Sequence, residues 1–192
     1  MLRRPAMPDI IAEPPGDDPL VASSRQHTEP RERGRRDELT GLLDRRGFDE
    51  LLAAALADAR EGDVPVGLLL LELDDLGAMN DRLGRESGDA VLGHVARLVD
   101  ETTRHRDCVC RIGRDELAVV LVRADAGESR EVARRIEAAL EARPPLHRGE
   151  PLPVTVSTGT ASTRDTPPQA ESLLRDARRE LRSPARSHRS PR

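Results

Sequence analysis

Four carboxylates in this sequence stand where runs of apolar residues end or begin. Glu72 and Asp74 close the run VGLLLLEL, and Asp115 and Glu116 open the run LAVVLV. Acids of this type can hold a hard divalent cation such as Mg²⁺. That ion keeps several of its waters and takes one or two protein carboxylates together with substrate phosphates. Any one of these acids alone reads as a solvated marker at a strand end. The set acquires chemistry only if the fold makes the two segments neighbours.

The stretch 104–121, RHRDCVCRIGRDELAVVL, reads as two strands joined at Gly113-Arg114. Its first arm carries Cys108, Val109, Cys110 and Ile112, and its second is rich in β-branched residues. Gly113 is expected to supply the backbone freedom of a two-residue turn. Upstream, 66–73 is an almost unbroken apolar run of strand length, which predicts a central strand covered on both faces. Residues 37–62 space Leu39, Leu42, Leu43, Phe48, Leu51, Leu52 and Leu56 as a helix, with Asp37 as its cap and Gly62 at its end. A short segment, 75–88, contains Asn80, Asp81 and Gly84. A helix then starts near Ser87 or Gly88 and carries Val91, Leu92, Val95, Leu98 and Val99 on one stripe. Further helices are predicted over 128–142 and 169–181, separated by a Pro-rich loop (143–153) and a last strand (154–161).

Without its flanks, the order is strand, helix, strand, strand, helix, strand. This is the α+β, ferredoxin-like βαββαβ plan with an extra N-terminal helix. In that plan the first strand lies antiparallel beside the third, which brings Glu72 and Asp74 to Asp115 and Glu116. Residues 1–36 are expected to be disordered, 37–182 to form the domain, and 183–192 to be a basic disordered tail.

Composition excludes several classes. The 192 residues carry a net charge of -4, and 34% are charged. Every cationic residue other than histidine is arginine, so Schiff-base lysines and the lysine of a Walker-type phosphate loop are absent. Phe48 is the single aromatic residue, so a base-stacking platform for nucleic acid is not expected. Cys108 and Cys110 are placed on one strand face as small core residues of a reducing compartment. No stretch is apolar enough for a membrane span. A cytoplasmic protein without membrane or nucleic-acid partners is expected.

Read together, these motifs resemble the GGDEF domain, the diguanylate cyclase family. The resemblance rests on Asp37, Leu39, Thr40, Leu42, Arg45, Arg46 and Phe48 in the lead-in, with Asp44 where Asn is usual. It rests also on LELDD at the strand end, Asn80-Asp81 with Gly84 and Gly88-Asp89, GRDEL at the hairpin, and TVSTG near the end. It implies a nucleotide-cyclase-like palm in which two GTP molecules, one on each half of a homodimer, are joined into cyclic di-GMP. It further implies that Asn80 and Asp89 bind the guanine edge and that Glu72 and Asp115 hold Mg²⁺. Asp115 and Glu116 would serve at the catalytic hairpin, and Arg104 and Asp107, spaced RxxD, would form an inhibitory site for cyclic di-GMP.

The departures from the family pattern are selective. Arg114 replaces the second glycine of the signature, and Glu72 replaces a metal-binding aspartate. Gly77 stands in place of a phosphate-binding lysine, as does Ala185 after the helix-breaking Pro184, while Arg189 fills a later basic position. Groups that recognise guanine are kept, and those that grip phosphate and metal are eroded. Since phosphoryl transfer relies on positioning and charge stabilisation, these losses predict a weak or inactive cyclase. Such a module would bind cyclic di-GMP or GTP and regulate a protein partner. The alternatives are an active diguanylate cyclase and a scaffold that binds no nucleotide.

Overall fold

In the computed structural model the described residues are 35–183, so the disorder expected over 1–34 and 184–192, and the assignments to Ala185 and Arg189, lie outside the described residues. Arg35 and Arg36, expected to be disordered, are instead ordered, Arg36 in a bridge to Leu43 and the Arg35 carbonyl accepting from the Asp44 N–H. Strand β1 (Val66–Leu73) is central. The sheet order is β2-β3-β1-β6, with β2 at Cys108–Arg111, β3 at Glu116–Val122 and β6 at Val156–Ser162, and every neighbour is antiparallel. This is the ferredoxin-like order, and it matches the expected α+β palm.

Helices cover both faces of the sheet. Side chains of β1 alternate between two cores, as a strand's period of two dictates. Leu69, Leu71 and Leu73 join α2 (Leu76–Leu83), α3 (Arg85–Thr102) and α4 (Ala126–Ala142). Leu68 and Leu70 join α1 (Arg45–Gly62) and α5 (Ala170–Leu181). Leu68 through Leu71 are at most 1% exposed, and each such leucine contributes about 1.5–3 kcal/mol of transfer free energy.

Several boundaries differ from the sequence reading for identifiable reasons. The first helix begins at Arg45, and its cap is Asp44, whose carboxylate accepts from the Gly47 N–H. The leucine spacing runs through 37–44, but Gly41 adopts φ +71°, which a helix does not contain. The segment 75–88 holds a helix that the sequence reading left undefined, α2. The Pro-rich loop contains a two-residue hairpin, β4 (Leu146–His147) with β5 (Glu150–Pro151).

The connection between β2 and β3 is wider than a two-residue turn, because the N–H groups of both Ile112 and Gly113 donate to the Glu116 carbonyl. Neither Gly113 nor Arg114 has a positive φ. The second signature glycine's conformational freedom is therefore not needed here, and Arg114 fits without backbone strain.

Candidate nucleotide site

The register of the sheet joins the two acidic segments. Glu72 lies opposite Glu116 in the β1–β3 ladder, and the Leu73 N–H donates to the Asp115 carbonyl at 3.0 Å. The Glu72 carboxyl is pushed above the ordinary carboxylate range, first by partial loss of solvent and then by the charges of Asp115, Glu116 and Asp74. Arg182 works in the opposite direction. Mutual repulsion among these acids is what a bound cation would relieve. Among the described residues, however, no three His, Cys, Asp or Glu side chains are clustered tightly enough to hold a metal ion by themselves.

Protein partners explain this. Asp74 accepts from the hydroxyls of Thr155 (2.6 Å) and Ser157 (2.7 Å), which fasten the end of β1 to β6. Glu116 faces Arg178 of α5, whose guanidinium lies 3.3–3.5 Å from both carboxylate oxygens. No side-chain hydrogen bond or ion pair of this kind engages Glu72 or Asp115 among the described residues, and two carboxylates would suit Mg²⁺ if phosphates and waters completed its shell.

Asn80 projects from α2 against Gly88, where a Cβ would collide with the Asn80 amide oxygen. That oxygen is buried and has no hydrogen-bond partner. A buried polar atom costs free energy unless something bonds it, and the Asn80 oxygen lies against the backbone of α3 at Gly88. Gly88 directly precedes Asp89 on α3, so Asn80 lies against the helical turn that carries Asp89. The Arg114 guanidinium reaches over the first turn of α2, 3.9 Å from where a Cβ on Gly77 would stand.

Arg104 and Asp107 lie at the other end of β3. The carboxylate of Asp107 accepts from the Arg104 N–H (3.3 Å) and the Val122 N–H (3.2 Å), so it shapes the turn. Burial raises the Asp107 pKa, although those two N–H bonds and the charges of Arg106 and Arg104 lower it. Both residues line a cavity of about 60 Å³ with Arg135 of α4, whose guanidinium donates to the Thr102 carbonyl at 2.7 Å. The six steps of β3 between Glu116 and Val122 span about 20 Å. The two candidate sites are therefore at opposite ends of one strand.

Sequence reasoning missed Arg178, Arg182, Arg135 and Arg111. The first three act across tertiary contacts that no local spacing reveals. Arg111 donates to both oxygens of Asp37 at 3.0 Å and to the carbonyls of Gly113 (3.1 Å) and Arg114 (2.8 Å). It ties the lead-in to the acid-bearing hairpin. That link gives Asp37 its role: although burial opposes it, bonds from Thr40 and Arg111 hold its carboxyl below the ordinary value.

Comparison with known proteins agrees with this fold. The family model described as "Diguanylate cyclase, GGDEF domain" matches residues 35–191. Diguanylate cyclase TpbB of Pseudomonas aeruginosa is 33% identical over 142 residues, covering 73% of this chain and 33% of TpbB, so the chain spans about a third of that relative. The structure of a shortened TpbB comprising only its GGDEF domain superposes with a TM-score of 0.71 at 32% identity, over 76% of this chain and 86% of that one. The GGDEF domain of DgcB from Caulobacter crescentus, solved in complex with c-di-GMP, gives a TM-score of 0.71 at 28% identity, over 77% and 85% of the two chains. The chain belongs to the GGDEF, diguanylate cyclase, domain family.

Proposed function

We propose that this chain is a degenerate GGDEF module in cyclic di-GMP signalling, a cytoplasmic sensor whose cyclase turnover is weak or lost. It would bind cyclic di-GMP through Arg104, Asp107 and Arg135 and pass that state to a protein partner. The observation that carries the reading is that Arg104, Asp107 and Arg135 line one cavity, where arginine guanidinium groups would suit phosphate oxygens or a guanine Hoogsteen edge. Asn80 and Asp89 would take the guanine of GTP, since a carboxylate can accept from N1–H and N2–H₂. Glu72 and Asp115 would hold the Mg²⁺ that accompanies it, supplying charge neutralisation at the phosphates. Glu116, at the hairpin, faces Arg178, and slow chemistry is expected chiefly because Gly77 stands where a phosphate-binding lysine is usual and Glu72 replaces a metal-binding aspartate. Residues 37–182 would carry these functions.

Calorimetric titration with cyclic di-GMP is expected to show binding that Arg104→Ala weakens by about tenfold, the scale of one charge-assisted contact. Equal heats from the two proteins would remove the reading.

An active diguanylate cyclase, working as a homodimer on two GTP, is the second reading. The unstrained backbone at Arg114 and its guanidinium over Gly77 favour it, since Arg114 then supplies charge beside α2 where lysine is missing. Incubation with GTP and Mg²⁺ followed by mass spectrometry separates the two. Rapid formation of cyclic di-GMP would establish the second.

A further inference from the structure

The four acids of the hairpin end are not equally free. Asp74 is held by two hydroxyls, and Glu116 is turned toward α5, its Oε2 3.4 Å from where a Cβ on Gly113 would stand. Arg178 contacts both oxygens of Glu116, and Arg182, which caps the C-terminal end of α5, carries a charge that acts on Glu72. The Arg178 contacts, at 3.3–3.5 Å, are longer than the roughly 2.7–2.9 Å of a well-made charge-assisted bond. The side chains of Arg178 and Glu116 keep 37% and 20% of their exposure. This ion pair is loose and solvent-reached, so it can be exchanged for another partner at small cost.

We propose that Arg178 is a built-in counter-ion that competes with a divalent cation for Glu116. The inference rests on reading the acids as the metal and phosphate end of a nucleotide site. While the guanidinium sits on Glu116, a dication entering beside Glu72 and Asp115 meets a positive charge at close range and lacks a third carboxylate. A polyphosphate changes this, because it gives the guanidinium an anionic partner of the kind arginine binds in bidentate fashion. Divalent cation and nucleotide polyphosphate therefore enter together, and the cation alone binds poorly. Arg178 is in this sense a positioning residue for Glu116.

The test uses the full chain and Mn²⁺ alone, followed by calorimetry and by the electron paramagnetic resonance signal of the free ion. Arg178→Gln is expected to bind Mn²⁺ about tenfold more tightly than the wild type, because one opposing charge beside a dication is removed. Arg178→Lys keeps the charge and should behave as the wild type. Adding Glu116→Gln to Arg178→Gln should cancel the gain. Arg178→Ala repeats the comparison should glutamine disturb α5. Unchanged Mn²⁺ affinity in both neutral variants overturns the proposal, as does a gain that survives Glu116→Gln. A separate GTP titration in Mg²⁺ examines the nucleotide reading: silence there with a Mn²⁺ gain in Arg178→Gln would sink that reading and leave the counter-ion role standing.

Discussion

Glu72 is disfavoured as an anion in the folded chain, and the sign of its effect on stability follows. Its carboxyl is raised from 4.5 by lost solvent and by three neighbouring acids, so the folded state keeps its proton to higher pH than the unfolded state does. Stability then falls as pH rises from 4.5 through the raised value, and the penalty persists at neutral pH. Glu72→Gln should melt at a higher temperature than the wild type at pH 7, with the difference closing below pH 4.5. A gap that stayed constant or widened in acid would contradict this account. The position of Glu72 was legible in the sequence because a strand's end and an acid coincide there. Arg178 was not legible: its partner, Glu116, is brought to it only by the packing of α5 on the sheet.

Two elements hold the site in place. The lead-in is fastened by Arg111, and the sequence reading gave its Asp37 to a helix cap because leucines at helical spacing bridge the turn at Gly41. Arg111→Ala leaves a partly buried carboxylate and two hairpin carbonyls with fewer partners, so a loss of about 1–3 kcal/mol is expected. Chemical denaturation would measure it, and hydrogen exchange should quicken at the Ile112 and Gly113 amides. Unchanged exchange there would show that the clamp does not steady the hairpin. Helix α5 is placed by Gly159 of β6. A Cβ at that position would run into the Ala177 carbonyl oxygen and approach the Leu181 nitrogen at 2.5 Å, both rigid backbone. Gly159→Ala must lift the helix, so it should cost on the order of 1–3 kcal/mol. It should also part Arg178 from Glu116, which a gain in Mn²⁺ affinity would reveal. Full stability in Gly159→Ala would mean that α5 has room to shift.

At the scale of the molecule, the β1 run and the order of strands were legible because a strand buried on both faces must be apolar throughout. The short α2 was not, since its eight residues make barely two turns, include Gly77 and bury only Leu76 and Met79. How the sheet protects its two edges was also hidden in the sequence. At β2 the Arg111 N–H donates to the Leu43 carbonyl at 2.7 Å, so the lead-in covers that edge. At β6 the cover is a side chain: Glu180 accepts from the Thr160 N–H (2.9 Å) and the Thr160 hydroxyl (2.7 Å). An unpaired edge offers N–H and C=O groups to another chain, and a charged residue folded over it is a common defence. Glu180→Ala should therefore lower stability by about 1–2 kcal/mol, the worth of lost hydrogen bonds to a charged acceptor. It should also promote association along β6 as concentration rises. Light scattering across a concentration series would show species larger than any the wild type forms. Identical scattering from the two proteins would mean that Glu180 anchors α5 without shielding the edge.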